Sequence, residues 1–378
     1  MKYRLLNFLA CPRCGGGLSL SAAEETSVER AAWSPAQTCL PCALGLRDPG
    51  LRGNCLACAR REVLTGELAC ACGCAYPILG GVPDLAAGQE DPAAEAEADR
   101  KTSQRFGYEW SRYPECFYEE EEKIFFEETQ LAPGELAGRL VLDAGCGMGR
   151  FTRVAGSRAG EVIGVDLSAS VYKAQAVARH LANVHIVKGD IMRLPLRDAL
   201  FDIAYSLGVL HHTPDTRSAF AAVARKIKPG GLFTMWVYGT AGRYRDFSTN
   251  PLRAARSRYV RLGAARRLYW LMVLARETLS NGLRLLTVRV PHRLLYALCY
   301  GLALLGKVPL VKYGTFSVHA DWRVRLLENF DWLAPPFQFH HTKEEVLTWY
   351  ADAGFAVEGM LEHGFVPKVG VRGRKQEG

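Results

Sequence analysis

The chain has 378 residues, 49% of them hydrophobic and 23% charged, proportions that exclude a disordered or fibrous polypeptide and leave length for two or three domains. Its net charge of +8 is partly local, because 243–293 is rich in arginine and 89–99 is acidic, so it speaks about surfaces and not about fold. The longest apolar run, Leu294 to Gly306, falls well short of the roughly 20 residues that cross a bilayer; the opening MKYRLLNFLACPRC is too briefly apolar for a secretory signal, and a soluble cytoplasmic protein without a transmembrane helix is expected.

Residues 1–85 hold nine of the twelve cysteines, and in an unexported chain such pairs read as metal ligands or buried thiols before disulfides. Cys11 and Cys14 in CPRCGG form a CxxC followed by glycine, the knuckle that presents two thiolates to one tetrahedral zinc. GELACACGCAYPILGGVPDL supplies the second half-site through Cys70, Cys72 and Cys74. The segment resembles the Trm112-like zinc-ribbon found at the start of some methyltransferases. That family's second pair is C-x-x-C, whereas here it is C-x-C-x-C, so Cys72 and Cys74 compete for the fourth place; the expected ligands are Cys11, Cys14, Cys70 and Cys72. Cys39/Cys42 and Cys55/Cys58 have the spacing for a second zinc. A structural zinc would stand in for the hydrophobic core that so short a domain lacks.

Residues 86–99 show no apolar period and read as a linker. From 100 to 130 the chain is aromatic and acidic, and a helix is expected with Ile124, Phe125 and Phe126 turned inward. Phe106 to Trp110 is placed to lid a ligand, with plain aromatic packing the competing reading. From 139 to 238 short Val/Ile-rich strands alternate with helices, near Arg150, over Val171–Leu181 and over Asp215–Ile227. This pattern predicts parallel βαβ units with helices on both faces and a ligand beyond the carboxyl ends of the strands.

VLDAGCGMGRFT, Val141 to Thr152, is a strand followed by G-x-G-x-G, where missing Cβ atoms let the backbone approach a ligand closely. Asp166 ends the next strand, where a carboxylate accepts from ribose hydroxyls. With GVDLS, VKGDIMRLPL, FDIAYSLGVLHHTPD and KPGG, this order and spacing resembles the class I S-adenosylmethionine-dependent methyltransferases of the type 11 kind. The resemblance implies a Rossmann-like seven-stranded methyltransferase sheet that binds S-adenosylmethionine. It puts the methionine part against Asp143, Gly145, Gly147 and Gly149, the ribose against Asp166 and Leu167, and the adenine edge beside Asp190 and Ile191. Taken singly, Asp143 and Asp190 also read as cap or turn residues. His211 and His212 follow the fourth strand where an acceptor approaches and are the candidate catalytic pair, with packing and turn-capping as the alternative. At His340 and His341 a capping box of Thr342 with Glu345 is the favoured reading.

Residues 241–320 interrupt the alternation with an arginine-, leucine- and aromatic-rich helical insertion. It suits a substrate cap, RNA, or peripheral contact with an anionic membrane through 243–293, beside the plain reading of a solvated helical face. NFDWLAPPFQFHHT is expected as a loop lining a substrate pocket; a helix over Glu344–Ala353 and two strands, FAVEG and FVPKVGVRG, complete the fold. The organisation expected is therefore a zinc-ribbon (1–85), a linker and helical lid (86–130), a cofactor domain (131–240), the insertion (241–320) and a C-terminal completion (321–378). Three functions are consistent with it: methyl transfer to a small or medium-sized molecule such as a natural product, lipid or sugar; methylation of rRNA or tRNA bases, since a ribbon joined to this fold also resembles the rRNA guanine methyltransferases; and non-catalytic partner binding through the ribbon.

Overall fold

A computed structural model describes residues 1–27, 61–87, 94–112, 121–239, 279, 282–308, 315, 321–361 and 368–377. Cys39, Cys42, Cys55 and Cys58, and the basic stretch up to residue 278, lie outside the described residues.

Four antiparallel strands open the chain: β1 (Leu18–Ser27), β2 (Arg61–Cys70), β3 (Ala75–Leu79) and β4 (Val82–Pro83). Helix α1 follows at Ala94–Arg112, so the segment expected to be a linker is already helical at Ala94, where AEAEAD is rich in strong helix formers. Helix α2 (Glu121–Thr129) turns Phe125 fully inward against Tyr205, ring centroids 5.2 Å apart.

The alternating region folds as its period dictates. Strands β5 (Leu140–Ala144), β6 (Glu161–Asp166), β7 (Val184–Lys188), β8 (Phe201–Leu207) and β9 (Ile227–Tyr238) are interleaved with α3 (Arg150–Gly156), α4 (Val171–Ala178) and α5 (Thr216–Lys226). Strand β9 begins earlier than GLFTMWVY suggests, because a bulge around Gly230, which has φ +75°, absorbs KPGG within the strand. After α6 (His292–Leu305) and α7 (Trp322–Leu333), helix α8 (Lys343–Asp352) precedes β10 (Phe355–Leu361) and β11 (Lys368–Lys375). No helix of the described residues is long and apolar enough to cross a membrane.

The sheet order is β10-β11-β9-β8-β5-β6-β7, parallel from β9 to β7, with β11 inserted antiparallel beside β9. This is the Rossmann-like seven-stranded methyltransferase sheet. Strand order reverses at β5, between β6 and β8, and there a crevice opens beyond the carboxyl ends.

The ribbon is built onto this sheet. Leu85 N–H donates to Lys188 O at 2.8 Å, and Lys188 Nζ meets the Asp84 carboxylate at 2.7 Å, so the chain after β4 covers the edge of β7. Phe8, Leu68 and Ile78 share one buried core with Val187 and Leu196. Inside that interface Arg4 pairs with Glu161, which also meets His185 Nε2 at 2.8 Å, all three nearly inaccessible to solvent.

Candidate functional site: a cofactor cradle joined to an acidic chamber

Strand β5 ends in a loop whose glycines are not equivalent. Gly145 (φ +94°) lies where a Cβ would come within 2.4 Å of Val209, and Gly149 (φ +84°) where it would meet Ala174 at 2.9 Å. These two permit close packing of strand and helices. At Gly147 (φ +52°) a Cβ would meet nothing within 4 Å, and the residue faces the cavity. Its open side is where a ligand would lie against bare backbone.

Two carboxylates stand behind the loop. Asp143 is buried and accepts from Thr152 Oγ1 at 2.6 Å and Tyr205 Oη at 2.8 Å. Burial pushes its carboxyl up to about 7, the Asp166 charge adds to this, and the two hydroxyl donors act against it. Asp166 accepts from Gly147 N–H (2.9 Å), Ser168 N–H (2.8 Å) and Ser168 Oγ (2.6 Å). A carboxylate offers about four lone-pair sites, so Asp166 both fixes the loop and keeps accepting capacity for a ribose hydroxyl. Burial raises its carboxyl as well. Asp190 caps the short turn after β7, accepting from Met192 N–H at 2.8 Å, and still faces the cavity with Ile191. Asp190 is therefore at once a turn cap and a cavity-lining residue.

These residues surround one cavity of about 830 Å³, toward the upper end of the usual size of a small-molecule site. Asp143, Gly145, Gly147, Asp166, Leu167, Asp190 and Ile191 line it; Gly149 does not, because it is used in packing α3 against α4. Helix α1 closes it from above: Phe106 and Trp110 line it, and Ser103 Oγ donates to Leu167 O at 3.1 Å.

Beyond the loop the cavity continues between β9, α1, α2 and α7. Glu128 on α2 accepts from Trp236 Nε1 (2.9 Å) and pairs with Lys368 (2.8 Å). Burial works to raise its carboxyl, but Lys368 and the indole outweigh that and hold it low. Asp331 and Glu328 line the cavity from α7. The segment NFDWL, expected as loop, is thus the last turns of a helix, capped by Asp321 and running to Leu333 before Pro335.

The two candidate catalytic histidines part company. His212 lines the cavity, with Nδ1 2.9 Å from Phe337 O. Burial lowers it to about 4 against the help of that carbonyl, so it is neutral at pH 7. His211 is fully buried and outside the cavity lining, its Nδ1 taking the Tyr238 N–H at 3.4 Å and its ring 4.0 Å from the Tyr238 ring. Burial drives it well below the ordinary histidine range. For His211 the packing reading replaces the catalytic one. His340 stacks on Tyr238, and Thr342 with Glu345 makes the expected capping box. Sequence reasoning passed over Tyr205, Glu128 and Trp236, and it took Glu109 and Asp331 only as parts of aromatic runs; an acid inside an aromatic run was the available signal.

In the ribbon, the Sγ atoms of Cys11, Cys14, Cys70 and Cys72 all lie within 4.8 Å of one another. The separations Cys11 to Cys72 (3.7 Å) and Cys14 to Cys70 (3.5 Å) match the roughly 3.8 Å edge of a tetrahedron with zinc–sulfur bonds of about 2.3 Å. Gly16 N–H points at Cys14 Sγ and the Tyr76 hydroxyl lies 3.2 Å from Cys11 Sγ, second contacts of the kind that orient thiolates. Cys74 is outside this foursome but beside it, its sulfur taking a hydrogen bond from Arg13 and lying within reach of the Cys72 and Tyr76 side chains. The donor set fits zinc.

Comparison with known proteins agrees with both halves. A family described as a methyltransferase domain matches residues 142–235, and one described as Trm112p-like protein matches residues 2–81. The chain carries both domains. The 24-methylenesterol C-methyltransferase 3 of Arabidopsis thaliana is 32% identical over 116 residues, 29% of this chain and 32% of the relative. The malonyl-[acyl-carrier protein] O-methyltransferase of Pseudescherichia vulneris is 39% identical over 98 residues, 26% of this chain and 38% of the relative. The chain thus spans about a third of the length of the curated relatives it matches. Among solved structures, a complex of the Haloferax volcanii Trm112 methyltransferase activator with a methyltransferase overlaps at a TM-score of 0.41 with 14% identity, covering 72% of this chain and 99% of that one.

Proposed function

We propose that the chain is an S-adenosylmethionine-dependent methyltransferase acting on a small or medium-sized molecule. One observation carries this reading: the bare backbone at Gly147, the Asp166 carboxylate and the Asp190–Ile191 turn converge on a cavity that continues into a walled chamber. The methionine part would lie against Asp143 to Gly147, the ribose against Asp166 and Leu167, and the adenine beside Asp190 and Ile191. The sulfonium supplies an activated methyl group, so the chain's task is to align a nucleophile with it and exclude water. Trp110, Ile124, Trp236 and Tyr238 wall the chamber and Phe106 closes it. Relatives named for sterol and malonyl-[acyl-carrier protein] methylation support a small acceptor over an RNA base. His212, neutral at pH 7, would orient the acceptor or its leaving proton through a ring nitrogen, not through charge.

Cys11, Cys14, Cys70 and Cys72 would hold a structural zinc, which contributes folding free energy to the ribbon. Through Leu85, Asp84 and Lys188 that ribbon backs the strand leading to Asp190.

The test is calorimetric titration of zinc-replete protein with S-adenosylmethionine beside Asp166→Ala. Micromolar binding by wild type and a loss of about tenfold or more in the variant are expected, since a charge-assisted hydrogen bond contributes about 1.5–3 kcal/mol. No binding by folded wild type overturns the reading.

A further inference from the structure

The chamber contains a pair of acids that the cofactor does not need. Glu109 on α1 is 1% exposed, and among the described residues neither of its carboxyl oxygens has a hydrogen-bond donor. It lies against the Asp331 carboxyl on α7, whose Oδ1 is buried and equally without a donor. Asp331 in turn faces the cavity, with Glu328 one turn before it. The Tyr296 hydroxyl and the Cys299 thiol on α6 face the pair and are raised by burial and by its charge. Arg105, one turn before Glu109 on α1, donates instead to the carbonyls of Ala334, Val288 and Val290.

Two carboxylates in contact cannot both remain ionised out of water. Burial pushes Asp331 up to about 7, with the Glu328 charge acting the same way, and pushes Glu109 well above the ordinary carboxylate range. The pair therefore shares a proton and carries at most one negative charge near neutral pH. What would complete it is a donor of positive charge entering from the cavity. Among the described residues only the four ribbon cysteines come together as a group of three or more metal ligands, and at the cofactor end the charge acting on Asp143 is that of Asp166.

We propose, resting on the methyl-transfer reading above, that Asp331 backed by Glu109 is the acceptor-recognition group and selects an amine, which arrives as an ammonium and is methylated on nitrogen. The proton balance is simple. The singly protonated pair takes one proton from the ammonium and frees the nitrogen lone pair. That pair of electrons forms the N–CH3 bond while the S–CH3 bond breaks with its electrons left on sulfur, giving the methylated ammonium and a neutral thioether. Release of product with return of the proton to solvent restores the singly charged pair. Glu328 at the cavity wall adds to the field that draws a cation inward.

The experiment compares matched probes on zinc-replete full-length protein: phenethylamine against 2-phenylethanol and 3-phenylpropanoate, and hexylamine against hexanol and hexanoate, by calorimetry at pH 7 with and without saturating S-adenosylhomocysteine. The amine of at least one series should bind about tenfold or more tightly than its alcohol, with the carboxylate weakest. Asp331→Asn should erase the preference while leaving S-adenosylhomocysteine binding unchanged, a separation that a purely structural role would not produce. Glu109→Gln, which removes the like charge and leaves Asp331 ionised, should keep or strengthen it. Amine and alcohol binding within twofold of each other in both series, the carboxylate binding best, or a preference that survives Asp331→Asn each overturns the proposal. Amine preference without any S-adenosylhomocysteine binding supports the acid pair and overturns the methyltransferase reading instead.

Discussion

The two ends of the cavity are built by different means. The cofactor end is made of strand termini and the turns that follow them: Asp143, Gly145, Gly147 and Asp166 all sit within a few residues of the carboxyl ends of β5 and β6. Their positions follow from the sheet, and their spacing in the chain is fixed by strand–turn–helix geometry. The acceptor end is assembled from α1, α2, β9 and α7, elements far apart in the chain. No short-range period ties Glu109 to Asp331 or Glu128 to Lys368. The first end was legible in the sequence because local geometry dictates it; of the second, the sequence marked only the aromatic stretches that carry Phe106, Trp110 and Asp331, and not their pairing, because only tertiary packing brings these residues together.

The sharpest way to break this contrast is through the ribbon, which shares the sheet's core but lies away from the acceptor end. Chelation of zinc removes binding free energy of about 10–16 kcal/mol in such sites, and Cys70→Ser weakens the site by taking away one of its four thiolates. The ribbon strands should lose their protection against hydrogen exchange. Because Leu85 and Asp84 hold Lys188, two residues before Asp190, cofactor affinity should fall with them by about tenfold, while a chelated protein that binds the cofactor normally would show the ribbon to be an independent unit.

Within the glycine loop, Gly145→Ala forces a Cβ to 2.4 Å from Val209 and should unfold the loop's packing, lowering stability by about 1–3 kcal/mol in a denaturation series. Gly147→Ala meets nothing and carries only the strain of its positive φ, about 1 kcal/mol. Its loss should instead appear in cofactor affinity. Equal stability costs at the two positions would erase the distinction between a packing glycine and a cradle glycine.

The Asp143 carboxyl gives the cofactor end a pH signature. Its folded-state value is raised from 3.8 to about 7, so the folded protein holds this proton more tightly than the unfolded chain. The stability it contributes is complete below the unfolded value and is lost as pH rises from about 4 to about 7. A cationic ligand facing the carboxylate favours the ionised form, so cofactor affinity should rise over the same window and level off above it. In Asp143→Asn both slopes should flatten, as read by denaturation and calorimetry between pH 5 and 8.

The histidines teach the same lesson about range. GVLHHTPD and FQFHHTKEE look alike as strings, yet His212 reaches the cavity while His211 and His340 pack around Tyr238. The turn that carries the first dyad is set by β8, and which of two adjacent rings faces the cavity depends on β9 and the 337–341 segment crossing beside it. The neighbouring capping box was legible because both of its partners lie within one turn. Thr342 Oγ1 accepts from Glu345 N–H at 3.2 Å and Glu345 returns the bond to Thr342 N–H at 2.8 Å. Thr342→Ala should therefore cost about 1 kcal/mol of stability, as cap removal does, and leave cofactor and amine binding where they were. Helix α8 touches β10, β11 and α5 but does not reach the cavity wall, so any change in ligand affinity there would mean that the C-terminal strands are coupled to the site through β9.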